Sequence, residues 1–298
     1  MMGGLSNRSA AACVFLGAVL WGTAGVASRW IHEAGTADGL EIGFWRLTLA
    51  VPLLLVIAWS MAGTPHFGSR RNLACLALMG IALGGFQFFY FTAISAVGVA
   101  VATLVGICTI PVVVALLAMP VYGERLGLVG WAALGTAVTG TLALILGAHD
   151  PQLPGAAGAA VGIPLALGAC LSFSILTLAG RAVSGQTDPL WTTSFTCALG
   201  AVALGLVLLI VGPPGLPAGG FTWSVLAWIA LLPTALAYVL FYSGVRRIPS
   251  RVAGVLILGE PLTATLLARA LHAEVLGPLG WMGAILLCLA MLVMAFRS

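Results

Sequence analysis

The sequence predicts an all-α membrane protein: ten transmembrane helices, arranged as two inverted five-helix repeats, with both termini cytoplasmic. Three observations predict it: too few charges for a soluble domain, ten apolar runs of bilayer length, and a repeat at about half the chain length. Of 298 residues, 61% are hydrophobic and 7% charged. An ordinary soluble domain has roughly 45–50% apolar and about 25% charged residues. No globular core needs that excess, so the chain belongs in a lipid bilayer. The net charge of +4 rests on 12 basic residues, every one an arginine. They are scattered between apolar runs and form no clustered basic surface, so no nucleic-acid partner is expected.

A bilayer crossing takes about 20 apolar residues. Between charges and turn signals the runs are 10–28, 42–62, 73–92, 97–119, 127–147, 159–179, 190–211, 222–244, 252–271 and 277–296. Gly, Pro and charge mark connections at 63–71, 148–156 and 212–220. Other connections are very short, notably around Ser95–Val97, which points to antiparallel neighbours in one bundle. The first run follows a single arginine, Arg8, and exceeds the roughly 7–15-residue apolar region of a signal peptide. It is expected to be a retained helix. No soluble domain, tail or long linker is expected, and no soluble protein partner is implied.

Arginine placement sets the orientation. With the N-terminus in the cytoplasm, nine of the 12 arginines fall on that side: Arg8, Arg70, Arg71, Arg125, Arg181, Arg246, Arg247, Arg251 and Arg297. Arg29, Arg46 and Arg269 remain. Both termini inside requires an even number of spans, in agreement with ten. The expected location is a bacterial-type inner (plasma) membrane.

Residues 111–131 return without a gap as residues 261–281. Pro111 matches Pro261, Leu116-Leu117-Ala118 match Leu266-Leu267-Ala268, Glu124 matches Glu274, and Gly130-Trp131 match Gly280-Trp281. Leu16-Gly17-Ala18 likewise match Leu167-Gly168-Ala169. The halves are therefore 1–150 and 151–298. Five spans per half is an odd number, so the second half enters the membrane in the opposite sense, and the repeats are inverted. Inverted halves can exchange conformations about a central site, which is the requirement for alternating access. Duplication could also have made only a stable scaffold.

Six cysteines (Cys13, Cys75, Cys108, Cys170, Cys197 and Cys288) lie in apolar stretches without a C-x-x-C pair. They read as small buried hydrophobes rather than a disulfide framework or zinc site. The four histidines, His32, His66, His149 and His272, fall in loops or at segment ends. No metal and no cofactor is expected.

Trp21-Gly22-Thr23, Arg46-Leu47-Thr48-Leu49-Ala50, the block Pro111 through Gly130 and its repeat Glu260-Pro261 through Gly280 together resemble the drug/metabolite transporter superfamily, specifically its EamA-type ten-helix members. Trp21-Gly22-Thr23 is similar to the family's W-G-[ST] signature. Arg46-Leu47-Thr48-Leu49-Ala50 is similar to its R-x-x-x-A. Pro111 through Gly130, with Gly123-Glu124-Arg125-Leu126 inside, is similar to its P…G-E-x-L…G block, and Glu260-Pro261 through Gly280 repeats it. The resemblance spans essentially the whole chain. Two departures stand out: Ala273 replaces the Gly before Glu274, and Ser172-Phe173-Ser174 replaces a Trp-Gly pair. The resemblance implies export of small solutes, most of all amino acids with aromatic or hydrophobic side chains, through a central cavity. A drug or other metabolite exporter of the same superfamily is the nearest alternative. A passive channel or an intramembrane enzyme would be a different class. An enzyme would need a nucleophile–base pair or a metal cluster at membrane depth, so none is expected.

Glu260 is the most informative residue. A charge at mid-membrane costs about 2.5–3.5 kcal/mol even on a lenient scale, and Pro261 removes a backbone bond beside it. Its repeat counterpart is Ile110. Glu260 could contact a substrate ammonium or carry a proton, or it could be a neutral or paired acid that pins a broken helix. Arg46 could hold a carboxylate; snorkelling to the outer headgroups is the simpler account. Pro111 and Pro261 sit mid-span, where carbonyls near Thr109 and Gly259 could face a cavity, or the prolines could be packing kinks. Gly84-Gly85 permits close packing or backbone access. Gln87 is expected to face a cavity beside Tyr90. Tyr238 and Tyr242 share a helix face and could stack on substrate; Tyr242 could instead join an interfacial belt. Trp21 lies too deep for a belt and implies packing or cavity lining. Glu124 and Glu274 begin spans five and ten, near a helix dipole, in a structural or gating position.

Overall fold

The structure is a computed structural model describing residues 7–123, 127–149, 155–183, 185–212, 215–245, 247–248, 252–253 and 256–295. Eleven α-helices are described: α1 (Asn7–Glu33), α2 (Gly39–Ala62), α3 (Arg70–Cys108), α4 (Ile110–Tyr122), α5 (Leu128–Gly147), α6 (Gly155–Val183), α7 (Pro189–Val211), α8 (Gly220–Ala230), α9 (Ala237–Val245), α10 (Gly259–His272) and α11 (Pro278–Ala295). A π-helical turn, Leu231–Leu236, joins α8 to α9. Six described runs are long and apolar enough to cross a membrane: Arg8–Glu33, Gly39–Ala62, Arg70–Tyr122, Ala157–Val183, Pro189–Val211 and Gly220–Val245. Leu128–Leu144 and Pro278–Val293 are shorter apolar helices.

Local chemistry starts and stops these helices. Asp38 caps α2 by accepting from the Glu41 amide at 2.8 Å, and Glu41 accepts from the Asp38 amide at 3.1 Å, a full capping box. Ser69 caps α3 and Asp188 caps α7. Gly123 ends α4 in the left-handed region, at φ 69°. Its repeat counterpart Ala273 ends α10 in the same region, at φ 53°. The backbone thus keeps the repeat's geometry where the sequence has lost its glycine.

One expected connection is displaced and two expectations need correction. The very short connection expected around Ser95–Val97 lies at Gly98, where α3 breaks into two helical legs at a single non-helical residue (φ 79°, ψ 170°), the second leg ending at Cys108. That left-handed φ favours glycine. A Cβ there would also stand 2.9 Å from the Glu274 carboxyl carbon. The fourth span is broken at Thr109, but the Thr109 carbonyl accepts from the Val112 and Val113 amides, both at 3.1 Å, and is not free for a cavity. Finally, the 148–156 loop begins with a short strand: β1 (Ala148–His149) pairs antiparallel with β2 (Val275–Leu276).

Small residues set the helix contacts, as they must where lipid is as apolar as the side chains and burial alone drives no association. On α5 and α11, Gly147 meets Gly280, Leu144 meets Gly283 and Gly140 meets Leu287, an antiparallel register. Gly43 meets Leu204 and Gly200 meets Leu47, so α2 and α7 are antiparallel. Met79 lies by Gly180, Phe89 by Gly168 and Val97 by Gly162, so the first leg of α3 runs against α6. α1 runs against α9, with Gly17 at Phe241 and Val14 at Gly244. It runs with α10, since Ala18 meets Gly259, Gly22 meets Ala264, and Val26 meets His272. Large apolar side chains such as Leu142, Leu206, Ile210 and Ile285 stand exposed on the outside, as suits a lipid surround.

Candidate functional site

A cavity of about 1570 Å³ lies within the bundle. α1 supplies Trp21, α2 Arg46, α3 Phe86 and Tyr90, α6 Phe173, α9 Tyr238, Phe241 and Tyr242, and the first turn of α10 Glu260. Its lining extends to Gly185–Pro189, the α6–α7 connection at one end of the bundle. At the opposite end, Arg29, Glu33, His272 and Glu274 come together, and none of them lines it.

Two aromatic walls face the space. Trp21 meets Tyr238 edge-on at 5.3 Å and Phe241 at 5.1 Å, while Tyr238 stacks on Tyr242 at 6.1 Å. Such pairs hold their rings in fixed orientations. Tyr242 lines the cavity and packs beside Trp191 and Ala58. On the other wall Phe86 stacks on Tyr90 at 5.4 Å and meets Phe173 edge-on at 5.1 Å. The Tyr90 hydroxyl shares a 2.8 Å hydrogen bond with Thr103. Phe173 belongs to the segment where the Trp-Gly pair is missing, so the departure still delivers an aromatic ring to the cavity.

The motif Trp21-Gly22-Thr23 has three separate uses. Trp21 forms the wall. Gly22 lets α1 touch α10: an added Cβ would lie 2.6 Å from the Glu260 carbonyl oxygen and 2.8 Å from Thr263 Cβ. Thr23 Oγ1 accepts a long bond, 3.4 Å, from Trp228 Nε1.

Arg46 is buried and turns inward. Its Nε donates to Thr234 Oγ1 at 2.8 Å and its Nη1 to Gln87 Oε1 at 3.2 Å, with the Phe91 ring 5.5 Å from the guanidinium carbon. The snorkelling expectation is therefore corrected: interior partners replace the water that the guanidinium gives up. Gln87, 2% exposed, stands behind Arg46 rather than on the cavity surface.

Glu260 occupies the first turn of α10, not mid-helix, where the helix dipole favours a negative charge. Among the described residues no hydrogen bond or ion pair engages its carboxylate. Arg46 lines the same cavity without forming an ion pair with it. Ile110 and Pro111, at the break before α4, also line the cavity, whereas Pro261 is buried behind Glu260.

Glu274 is a finding of its own. It does not serve the helix that follows it. Its carboxylate accepts from the Val99 and Ala100 amides, at 2.7 and 2.9 Å, and so caps the second leg of α3 just past the Gly98 bend. It also pairs with Arg29 Nη1. Arg29 Nε bonds Glu33 at 2.9 Å, and His272 bonds Glu33 and the Val26 carbonyl, each at 3.0 Å. Sequence reasoning missed Arg29, Glu33 and His272 as a group. The i,i+4 spacing of Arg29 and Glu33 was one available signal. Glu124, the repeat counterpart of Glu274, lies outside the described residues.

The fold has a counterpart among solved structures. One crystal structure matches with a TM-score of 0.62 at 20% identity, covering 97% of this chain and 96% of that one, a likeness of fold alone. By sequence, the uncharacterized transporter YwfM of Bacillus subtilis (strain 168) is 29% identical over 290 residues, 95% of this chain and 92% of that protein. The threonine/homoserine exporter RhtA of Escherichia coli (strain K12) is 28% identical over 240 residues, 80% of this chain and 76% of that protein. The family model of the EamA-like transporter family matches residues 8–146 and again 160–296. The chain belongs to the EamA-like transporter family, and so is a multi-pass membrane transporter.

Proposed function

We propose that the protein exports amino acids, aromatic or hydrophobic ones above all, from the cytoplasm across the inner membrane. The observation that carries this is the pairing of Arg46 and Glu260 in one cavity without an ion pair between them. A guanidinium suits a carboxylate, and a free carboxylate suits an ammonium. A zwitterion meets both, and the rings of Trp21, Tyr238, Phe241, Phe86, Tyr90 and Phe173 suit an apolar side chain. The likeness to a threonine/homoserine exporter supports the amino-acid class. The aromatic lining supports the finer resemblance to the aromatic amino-acid exporter YddG.

Ten spans, both termini cytoplasmic and two inverted units, 1–150 and 151–298, complete the reading. The two legs of Arg70–Tyr122, bent at Gly98, count as two spans. The registers support inversion: α5 opposes its counterpart α11, and α2 opposes its counterpart α7. The two matched segments of the family model support the division. With the N-terminus inside, the cavity opens to the cytoplasm, and Glu274 gates the outer end. Pro111 and Pro261 mark the breaks about which the halves rock. A cavity of about 1570 Å³ exceeds the roughly 300–1000 Å³ of drug-sized pockets, so larger metabolites or drugs of the same superfamily are the second reading.

Counterflow in proteoliposomes tests the substrate class. Loaded and external amino acids should exchange with saturation and compete with one another, phenylalanine and threonine included. Competition by drugs or sugars alone would overturn the reading, and rates without saturation would favour a channel.

A further inference from the structure

The π-helical turn Leu231–Leu236 interrupts the run Gly220–Val245 beside Arg46. Turns of this kind are rare and gather at functional sites. Pro233 lies inside it and offers no N–H to the ladder. The effect on Thr234 is specific. Its hydroxyl donates to the Ile229 carbonyl, five residues back, at 2.9 Å. Thr136, Thr139, Thr141 and Thr177 all reach four residues back in ordinary helix. With its proton committed to Ile229, Thr234 Oγ1 is left as an acceptor, and Arg46 Nε takes it at 2.8 Å. Thr234 is 1% exposed, so no water competes for it.

Thr234 also bridges the halves of the chain. Arg46 and its other partner, Gln87, belong to the first half, and Thr234 belongs to the second. An arginine side chain has four flexible torsions and loses much freedom when fixed. Two hydrogen bonds donated to buried partners set the plane of the guanidinium and hold it at the cavity wall. Among the described residues no partner engages Nη2, which remains available for a ligand.

We infer that Thr234, presented by the π-helical turn, is the positioning residue for Arg46, and that its hydroxyl sets the affinity of the cavity for a substrate carboxylate. The inference rests on the exporter reading of the same cavity. Val at this position keeps the volume but has no acceptor for Nε. The guanidinium then loses its fixed plane, and bidentate contact with a carboxylate weakens. A ligand held through its ammonium by Glu260 does not depend on that plane.

The test uses the full-length protein in proteoliposomes, with phenylalanine as substrate and phenylalaninamide as competitor. Thr234→Val should raise the KM for phenylalanine about tenfold, the size expected for one hydrogen bond to a charged group. The maximal rate and the inhibition constant of phenylalaninamide should stay near wild type. Thr234→Ser should restore the KM. Gln87→Met, which removes the Nη1 partner, should weaken phenylalanine in the same direction, and it decides the matter if Thr234→Val does not fold. An unchanged KM, an equal loss for acid and amide, or failure of Ser to restore would overturn the inference. Absence of any amino-acid exchange by the wild type would instead overturn the exporter reading itself, and the inference with it.

Discussion

At one end of the bundle Arg29, Glu33, His272 and Glu274 interlock; at the other, Tyr122 stands at the repeat position of His272, and Arg181 one residue past that of Arg29. The scaffold contact survives at both ends. His272 bonds the Val26 carbonyl, and the Tyr122 hydroxyl donates to the Leu178 carbonyl at 2.9 Å. What differs among the described residues is exposure. The first end buries an ion pair whose carboxylate also caps two backbone amides. The second places an exposed Arg181 4.5 Å from the Tyr122 ring, and the cavity reaches it. The first end is fastened by a group that must be satisfied in the dry; at the second, the described ring contact is one that water can share.

The largest effect should come from breaking the fastened end. Glu274→Gln leaves Arg29 as a buried charge with its principal partner neutralised, and should cost about 3–5 kcal/mol. Thermal unfolding in detergent reads it, and a loss under 1 kcal/mol would remove the distinction between the ends. Next, Gly22→Val drives a side chain into the Glu260 backbone. Overpacking of about 1–3 kcal/mol should lower transport as well as stability, because α1 and α10 both carry cavity residues. Ala273→Gly should raise stability by about 1 kcal/mol, since Gly relieves the left-handed strain that Gly123 escapes on the opposite side. Smallest is Tyr122→Phe. Loss of the half-buried hydrogen bond to the Leu178 carbonyl should cost about 0.5–1 kcal/mol, well below the Glu274 variant in the same assay.

Much of this architecture was legible because lipid leaves few options. Apolar runs of bilayer length and a repeat over residues 111–131 and 261–281 led to the bundle and to Trp21, Tyr90, Tyr238, Tyr242 and Glu260 as candidate residues; the structure places all five on one cavity. Features that depend on distant partners were not legible. Arg46 turns inward because of Thr234, 188 residues away, and Gln87, 41 away. Position alone suggested the headgroups. Gly98 looked like any other glycine in an apolar run, and only Glu274, 175 residues beyond Val99 in sequence, makes its bend a capped helix start. The π-helical turn left no periodic signal, since one residue in a 26-residue apolar run shifts no pattern that hydropathy can register.

The most direct measurement is equilibrium binding of phenylalanine and of its deaminated analogue, 3-phenylpropionate, to purified wild type and Glu260→Gln. If Arg46 and Glu260 hold the two ends of a zwitterion, the variant should bind phenylalanine about tenfold more weakly, while its affinity for 3-phenylpropionate stays unchanged or rises. Equal affinities of variant and wild type for phenylalanine, or an equal loss for both ligands, would contradict it.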